Sequence, residues 1–311
     1  MAASSDQAKG TTVARYALEL DGALAGWLWS FEGGQATGEV ITEDLGEGLL
    51  VKKHIGNVKY EDITITLGLG MSSSLYDWVS SVLSDDPTFQ DAAIIGVDSS
   101  GNERLRFGFT NALITEIGMP ALDAPSKDAA KMTLKIAPEM TERKAGSGGR
   151  LSLAAPKAAA QKNWLPSNFR LTIDGMGDAT KNVNKIEALV IKQKVTENAV
   201  GEERDFQLEP TSVQIPNLVI TLPEADSQAW YDLHENFVIK GINADDEEKS
   251  GKLEYLSPDL KTALFTIEFA NIGIFKVAGA QSASAKDTAA RVKVEMYVEA
   301  MQLDYSSAVT N

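Results

Sequence analysis

No cysteine occurs among the 311 residues, so neither disulfides nor thiolate metal ligands hold this chain together. That suits assembly in a reducing cytoplasm, and it equally suits a particle held by many weak contacts. Histidine is nearly as scarce, with only His54 and His234. Neither has a second histidine three to five residues away, so no recognisable zinc motif forms. Long apolar runs are missing: no window approaches about eighteen uninterrupted apolar residues, and the opening MAASSDQAKG has no apolar signal core. The expectation is a chain that neither inserts in a membrane nor is secreted by the classical route. Positive charge is in the minority, with 29 basic against 44 acidic residues and a net charge of −15. Such a field repels nucleic acid backbone and disfavours tight phosphate binding. It fits plain solubility, and also an acidic wall that does not retain a passing polyanion.

The usual signatures of chemistry are absent too. There is no Gly-x-Ser-x-Gly, no phosphate loop ending in Gly-Lys-Ser/Thr and no dinucleotide fingerprint. Gly68-Leu-Gly70 precedes a helical stretch but lacks the third glycine, and reads as a turn. Asp245-Asp-Glu-Glu248 has consecutive carboxylates, not the alternating oxygens of a calcium loop. Trp27 and Trp29, near Phe31, could form a carbohydrate platform, but alternation along a strand favours core or subunit interface. The residues therefore point to no enzyme, no cofactor and no metal.

What is present is a duplication. Apolar residues make up 43% and charged residues 23%, enough for packed cores, and the length favours two domains. Tyr16-Ala-Leu-Glu-Leu-Asp-Gly22 reads against Phe169-Arg-Leu-Thr-Ile-Asp-Gly175, 153 residues on. Ile63–Leu67 reads against Leu218–Leu222, and Leu75-Tyr-Asp-Trp78 against Trp230-Tyr-Asp-Leu233, both 155 residues on. Leu105–Asn111 matches Phe265–Asn271, and Lys131–Ile136 matches Arg291–Met296, both 160 residues on. Matches in one order, with an offset that rises only by loop-sized steps, predict two copies of one unit. The expected division is a first domain over residues 1–141, a linker over 142–166 and a second domain over 167–311. The linker is rich in Gly, Ser, Ala and Lys, and if extended its roughly 25 residues reach on the order of 80 Å.

Within the first copy, Ala14–Leu20 and Ile63–Leu67 alternate as half-buried strands, and Val40–Val51 reads as a hairpin broken at Asp44–Gly48. Ser72–Ser74 caps a helix whose stripe runs Leu75, Tyr76, Trp78, Val79, Val82 and Leu83. Four strands follow, over 92–97, 103–109, 112–118 and 131–136. The second copy repeats the plan, with Asp226 or Ser227 as cap and Trp230, Leu233 and Phe237 along the stripe. The fold class is mainly β: two tandem antiparallel barrel or sandwich domains, each with one α-helix.

Gly34-Gln-Ala-Thr-Gly-Glu-Val-Ile41, Lys53-His-Ile-Gly-Asn-Val-Lys-Tyr60, Ile63-Thr-Ile-Thr-Leu67-Gly68 and Leu75-Tyr-Asp-Trp78 together resemble the tail tube proteins of contractile-tailed phages. They are similar as well to inner tube proteins of contractile injection systems. The second copy keeps Asp174-Gly175, Ile186–Val195, Leu218–Leu222 and Trp230-Tyr-Asp232, but has Pro223-Glu224 in place of Gly68-Leu69. It also lacks a counterpart of Lys53–Gly56.

The resemblance implies a structural subunit that stacks as rings of six tube domains into a hollow conduit. A two-copy chain would complete a ring as a homotrimer, with a homohexamer as the alternative. It also implies an outer sheath protein, baseplate hub and tape-measure partners, transient DNA or protein cargo in the lumen, no membrane insertion, and assembly in the bacterial cytoplasm. Subunit contacts are expected on the first hairpin, at Ile41, Glu43, Leu45, Leu49, Val51, Lys52, Lys53, His54 and Ile55. On the second hairpin they are expected at Val190, Ile191, Lys192 and Val195. A tube-initiating baseplate hub and a two-domain carbohydrate-binding module are the other readings.

Overall fold

The computed structural model describes residues 13–44, 51–84, 86–151, 164–201, 205–280 and 290–305. Strand dominates. In the N-terminal half the elements are β1 (Arg15–Leu20), β2 (Ala23–Gly33), β3 (Ala36–Asp44), β4 (Val51–Tyr60), β5 (Ile63–Leu67) and α1 (Ser73–Ser81). Then come β6 (Gln90–Val97), β7 (Glu103–Met119), β8 (Leu122–Asp123), β9 (Met132–Ala137) and β10 (Met140–Ala145). The C-terminal half contributes β11 (Phe169–Ile173), β12 (Lys185–Ile186), β13 (Leu189–Ala199), β14 (Phe206–Gln214) and β15 (Leu218–Pro223). After α2 (Gln228–His234) it ends with β16 (Lys249–Leu256), β17 (Ala263–Ala280) and β18 (Arg291–Asp304).

Strands β1, β6, β7, β9, β5 and β2 pair in that order, and β2 returns to β1, which closes a six-stranded antiparallel barrel. Closure removes the free edges of a sheet, and alternation fills the interior. In β5, Ile63, Ile65 and Leu67 are fully buried while Thr64 and Thr66 lie half-exposed on the other face. Strands β11, β16, β17, β18, β15 and β12 pair in the matching order, but β11 and β12 are not joined, so this second sheet stays open. The gap has a local cause: where β1 turns directly into the long β2, Gly177–Thr180 forms a 3-10 turn that shortens the equivalent strand to two residues.

Three details depart from the sequence reading. The two strands expected over 103–109 and 112–118 are one 17-residue strand, β7, because Asn111 takes φ of 46° and bends the chain without ending the strand. Strand β17 does the same at Asn271, with φ of 54°. The N-terminal part of the expected linker is strand and turn: β10 runs along β7, and Gly146 N–H, Gly148 N–H and Leu151 N–H reach back to the β7 region. Finally, α2 covers only Gln228–His234 before a π turn over Glu235–Ile239, whereas α1 has the expected Ser72 cap, whose hydroxyl accepts the Leu75 N–H.

The two halves share one apolar core among the described residues, which runs from Leu18 and Ile65 in the barrel to Ile267 and Val294 in the open sheet. Two-residue β8 leaves the first half to pair with β12, with Leu122 opposite Ile186. The short edge strand of the open sheet is thus covered by chain from the other half.

Candidate assembly interface

The junction between the halves is built from a hairpin, a strand edge and a helix. The hairpin β13–β14 lays its first residues along the C-terminal end of β7, with Leu189 opposite Met119, Val190 opposite Gly118, Ile191 opposite Ile117 and Lys192 opposite Glu116. Leu189 and Ile191 point into the core and are buried, while Lys192 Nζ lies 3.6 Å from Glu116 Oε2 at the surface. Alternation fixes this register, since a one-residue slip would expose both apolar side chains.

Beyond the paired residues the ribbon crosses to the first hairpin. Lys59 Nζ is 2.7 Å from Glu197 Oε2 and 5.0 Å above the Phe206 ring. The Glu197 hydrogen bond raises the Lys59 pKa. Tyr60 Oη donates to Asp205 at 3.2 Å, and Leu208 N–H donates to Glu139 Oε1 at 2.7 Å. Partial burial, reinforced by Asp205, pushes the Tyr60 phenol up.

On the far side of the junction α1 packs against the open sheet. The Tyr76 ring stacks on Tyr305 with centroids 4.8 Å apart and an interplanar angle of 12°, and tilts against Phe265 at 6.2 Å. Its hydroxyl donates to the Leu69 carbonyl, and burial pushes the phenol well above its usual range. Tyr305 Oη donates to Asp77, on the same turn of α1. One half therefore presents a helix and a strand edge, and the other a hairpin and an aromatic sheet end.

Beyond Lys59 and Tyr60, the first hairpin has no such cover among the described residues. Every residue of β3 is exposed, and β3 pairs only with β4 among the described residues. Val40, Ile41, Val51 and Ile55 are each 40–59% exposed. Of the residues expected to make subunit contacts, Ile41, Glu43, Val51, Lys52, Lys53, His54 and Ile55 lie on this ribbon, where Ile41 faces His54 and Glu43 faces Lys52. Leu45 and Leu49 lie outside the described residues. Val190, Ile191, Lys192 and Val195 lie on β13, where the first three pair with β7 and Val195 pairs with Pro210 of β14. The edge that receives them, Glu116–Met119, is not among the expected contacts.

No cluster of three or more His, Cys, Asp or Glu fit to hold a metal occurs among the described residues. Trp27 lies half-buried beneath Arg15, and Trp29 is 59% exposed with Lys131 Nζ 4.4 Å above its ring. Neither is in the core, and each ring carries a cation on its face. Two open grooves lie at matching places in the two halves, one of about 470 Å³ beside Asp174 and Phe269 and one of about 270 Å³ beside Asp21 and Phe109.

Comparison with known proteins adds one family. Residues 14–142 match the model of the T4-like virus tail tube protein gp19. No curated protein matches the chain. Among solved structures, a chain of the sheath-tube complex of an extracellular contractile injection system, PVC, in its extended state is 20% identical. The alignment covers 47% of this chain and 99% of that one at a TM-score of 0.40. A chain of the tube-terminating cap of the anti-feeding prophage is 18% identical over 46% of this chain and 99% of its own, at a TM-score of 0.38. Hcp1 from Flavobacterium johnsoniae is 15% identical over 44% of this chain and 98% of its own, at a TM-score of 0.28.

Proposed function

Because residues 14–142 match the model of the T4-like virus tail tube protein gp19, we propose that the whole chain is two fused tube units and serves as a structural subunit of the inner tube of a contractile phage tail or phage-like injection particle. Its work is mechanical: rings stack into a rigid conduit through which DNA or protein passes. The observation that carries this reading is the hairpin β13–β14, which one half contributes to a strand edge of the other. A unit that completes its neighbour's sheet in this way is the repeating element of a ring. The matching strand order of the halves supports the duplication, although the second sheet is open where the first is closed.

Six units per ring make the assembly a homotrimer. Closed rings that stack head to tail use heterologous contacts, and identical subunits then extend without limit along one axis. The exposed ribbon β3–β4 bridges to the next ring or the next chain through Ile41–Ile55. A sheath protein docks outside, and baseplate hub and tape-measure proteins set the ends. The net charge of −15 suits a lumen that lets a polyanion pass. Assembly takes place in the bacterial cytoplasm, and the mature location is the tail.

Negative-stain electron microscopy of the purified protein over a range of concentrations tests the proposal. Rings or tubes support it. A protein that stays a single chain at every concentration would contradict it and leave a monomeric binding module, and one ring that never extends would indicate a hub.

A further inference from the structure

The junction inside the chain is a template for a junction between chains. Resting on the tube reading above, we propose that Gly34–Thr37, the segment that leads from β2 into β3, is added as a strand to the edge Lys276–Gly279 of β17 in a second copy of this chain. The exposed face of α2 is buried in the same contact.

Register carries the argument. The pairing of β7 with β9 breaks between Ile114 and Glu116, and that of β17 with β18 breaks between Ile274 and Lys276, each 160 residues on. Past the break, Ile117 faces Leu134 as Val277 faces Val294. The edge Glu116–Met119, which receives β13, thus corresponds to Lys276–Gly279. The hairpins are matched as closely: β3–β4 shifts register between Gly38 and Val40, and β13–β14 between Gln193 and Val195, each 155 residues on. The docked segment Leu189–Lys192 therefore corresponds to Gly34–Thr37. One edge and one hairpin are joined within the chain. The corresponding edge and hairpin have one unpaired side each among the described residues, since β16 leaves β17 at Ile272, where β18 alone continues, and β3 pairs only with β4.

Helix burial points the same way. Tyr76 and Tyr231 occupy matching places in α1 and α2, 155 residues apart. Tyr76 is fully buried by the other half, whereas Tyr231 is 38% exposed beside Ile239 and Ile242, at 71% and 49%. Within the chain, the first half supplies helix and edge and the second half supplies hairpin and sheet end. Between chains the second half has helix and edge to offer, and the first half of the next chain has a hairpin. The two contacts run in one rotational sense, so a ring of six units closes with three chains. An isolated two-stranded ribbon is marginal in water, and a free edge with Val40, Ile41 and Ile55 exposed is an aggregation liability, so pairing also removes a cost.

Disulfide trapping tests this, and the chain offers no native cysteine to interfere. Gln35 and Ala278 correspond to Val190 and Gly118, which face each other directly. Chains carrying Gln35→Cys and chains carrying Ala278→Cys, mixed under assembling conditions and oxidised, should give a covalent dimer that neither forms alone. The double variant should close into a covalent trimer. The pair Thr37→Cys and Lys276→Cys, equivalent to Lys192 and Glu116, repeats the test if Ala278→Cys disturbs the sheet. Lys192→Cys with Glu116→Cys is the control, and should link within one chain, at a pair whose side chains already reach each other at the surface. Rings or tubes in the microscope with the control linked, but no link at either intermolecular pair, would overturn this interface and leave the tube reading standing. No higher assembly at all would overturn both.

Discussion

Alanine at Tyr76 and alanine at Tyr231 remove the same side chain from matching turns of two helices, and the costs should differ by several kcal/mol. Tyr76 is 0% exposed, stacked on Tyr305 and tilted against Phe265. Truncating a buried aromatic residue costs about 3–5 kcal/mol, to which the lost ring stacking contributes about 0.5–1.5. Tyr231 is 38% exposed, and substitutions at such surface positions usually stay within about 0.5 kcal/mol. Urea unfolding, at a concentration low enough that no rings form, should show a lower midpoint for Tyr76→Ala with the slope unchanged, and almost no shift for Tyr231→Ala. Tyr76→Phe isolates the hydroxyl, which donates to the Leu69 carbonyl, and because that carbonyl also accepts the Met71 N–H the change should cost only about 0.5–1.5 kcal/mol. At assembling concentrations Tyr231→Ala should instead weaken ring formation. Equal destabilisation of the lone chain by Tyr76→Ala and Tyr231→Ala would refute the reasoning, because it would mean that both helices are covered alike without a partner.

Other perturbations follow from single contacts. Gly34→Ala should destabilise the barrel by about 1–3 kcal/mol in thermal unfolding, since Gly34 has φ of 82° and a Cβ there would meet the Phe107 ring at 2.7 Å. Asp98 accepts the Asn102 and Ser100 N–H groups and the Asn102 and Arg104 side chains, which hold its carboxyl well below the usual range. Its contribution is present above the unfolded value near 3.8 and is lost as pH falls through the lower folded one. Asp98→Asn should therefore unfold more easily than the unaltered chain at neutral pH, with the gap closing in titrations below about pH 4. Lys59→Ala removes an ion pair whose side chains are both 46% exposed, and should move the unfolding midpoint only slightly, a shift that 1 M salt largely removes.

Much of this fold could be read from the chain because local pattern and burial agree there. In β5 the Ile-Thr alternation is the burial pattern itself, and Ser72 caps α1 as its position before the apolar stripe implies. The extended flanks of the first hairpin were legible as well. Three things were not. The continuity of β7 was hidden by Asn111, which sequence rules treat as a stop although one residue at positive φ can bend a strand and leave it running. The retention of Gly146–Leu151 on the barrel was hidden because Gly and Ser look like linker wherever backbone hydrogen bonds do the holding. The acceptor edge at Glu116–Met119 was hidden for a deeper reason: its partner lies seventy or more residues away, and edges are recognised by main-chain groups that every residue shares. The 160-residue offset aligns Asn111 with Asn271, but a sequence match does not show that the strand runs on past either residue.

The central claim is that three chains close a ring of six similar units, and native mass spectrometry of isolated rings tests it most directly. With a chain of 33.4 kDa the account requires a species of three chains, near 100 kDa, that shows six lobes in class averages but only threefold rotational symmetry. A ring of six chains, or a closed assembly whose lobes equal its chains in number, would contradict it.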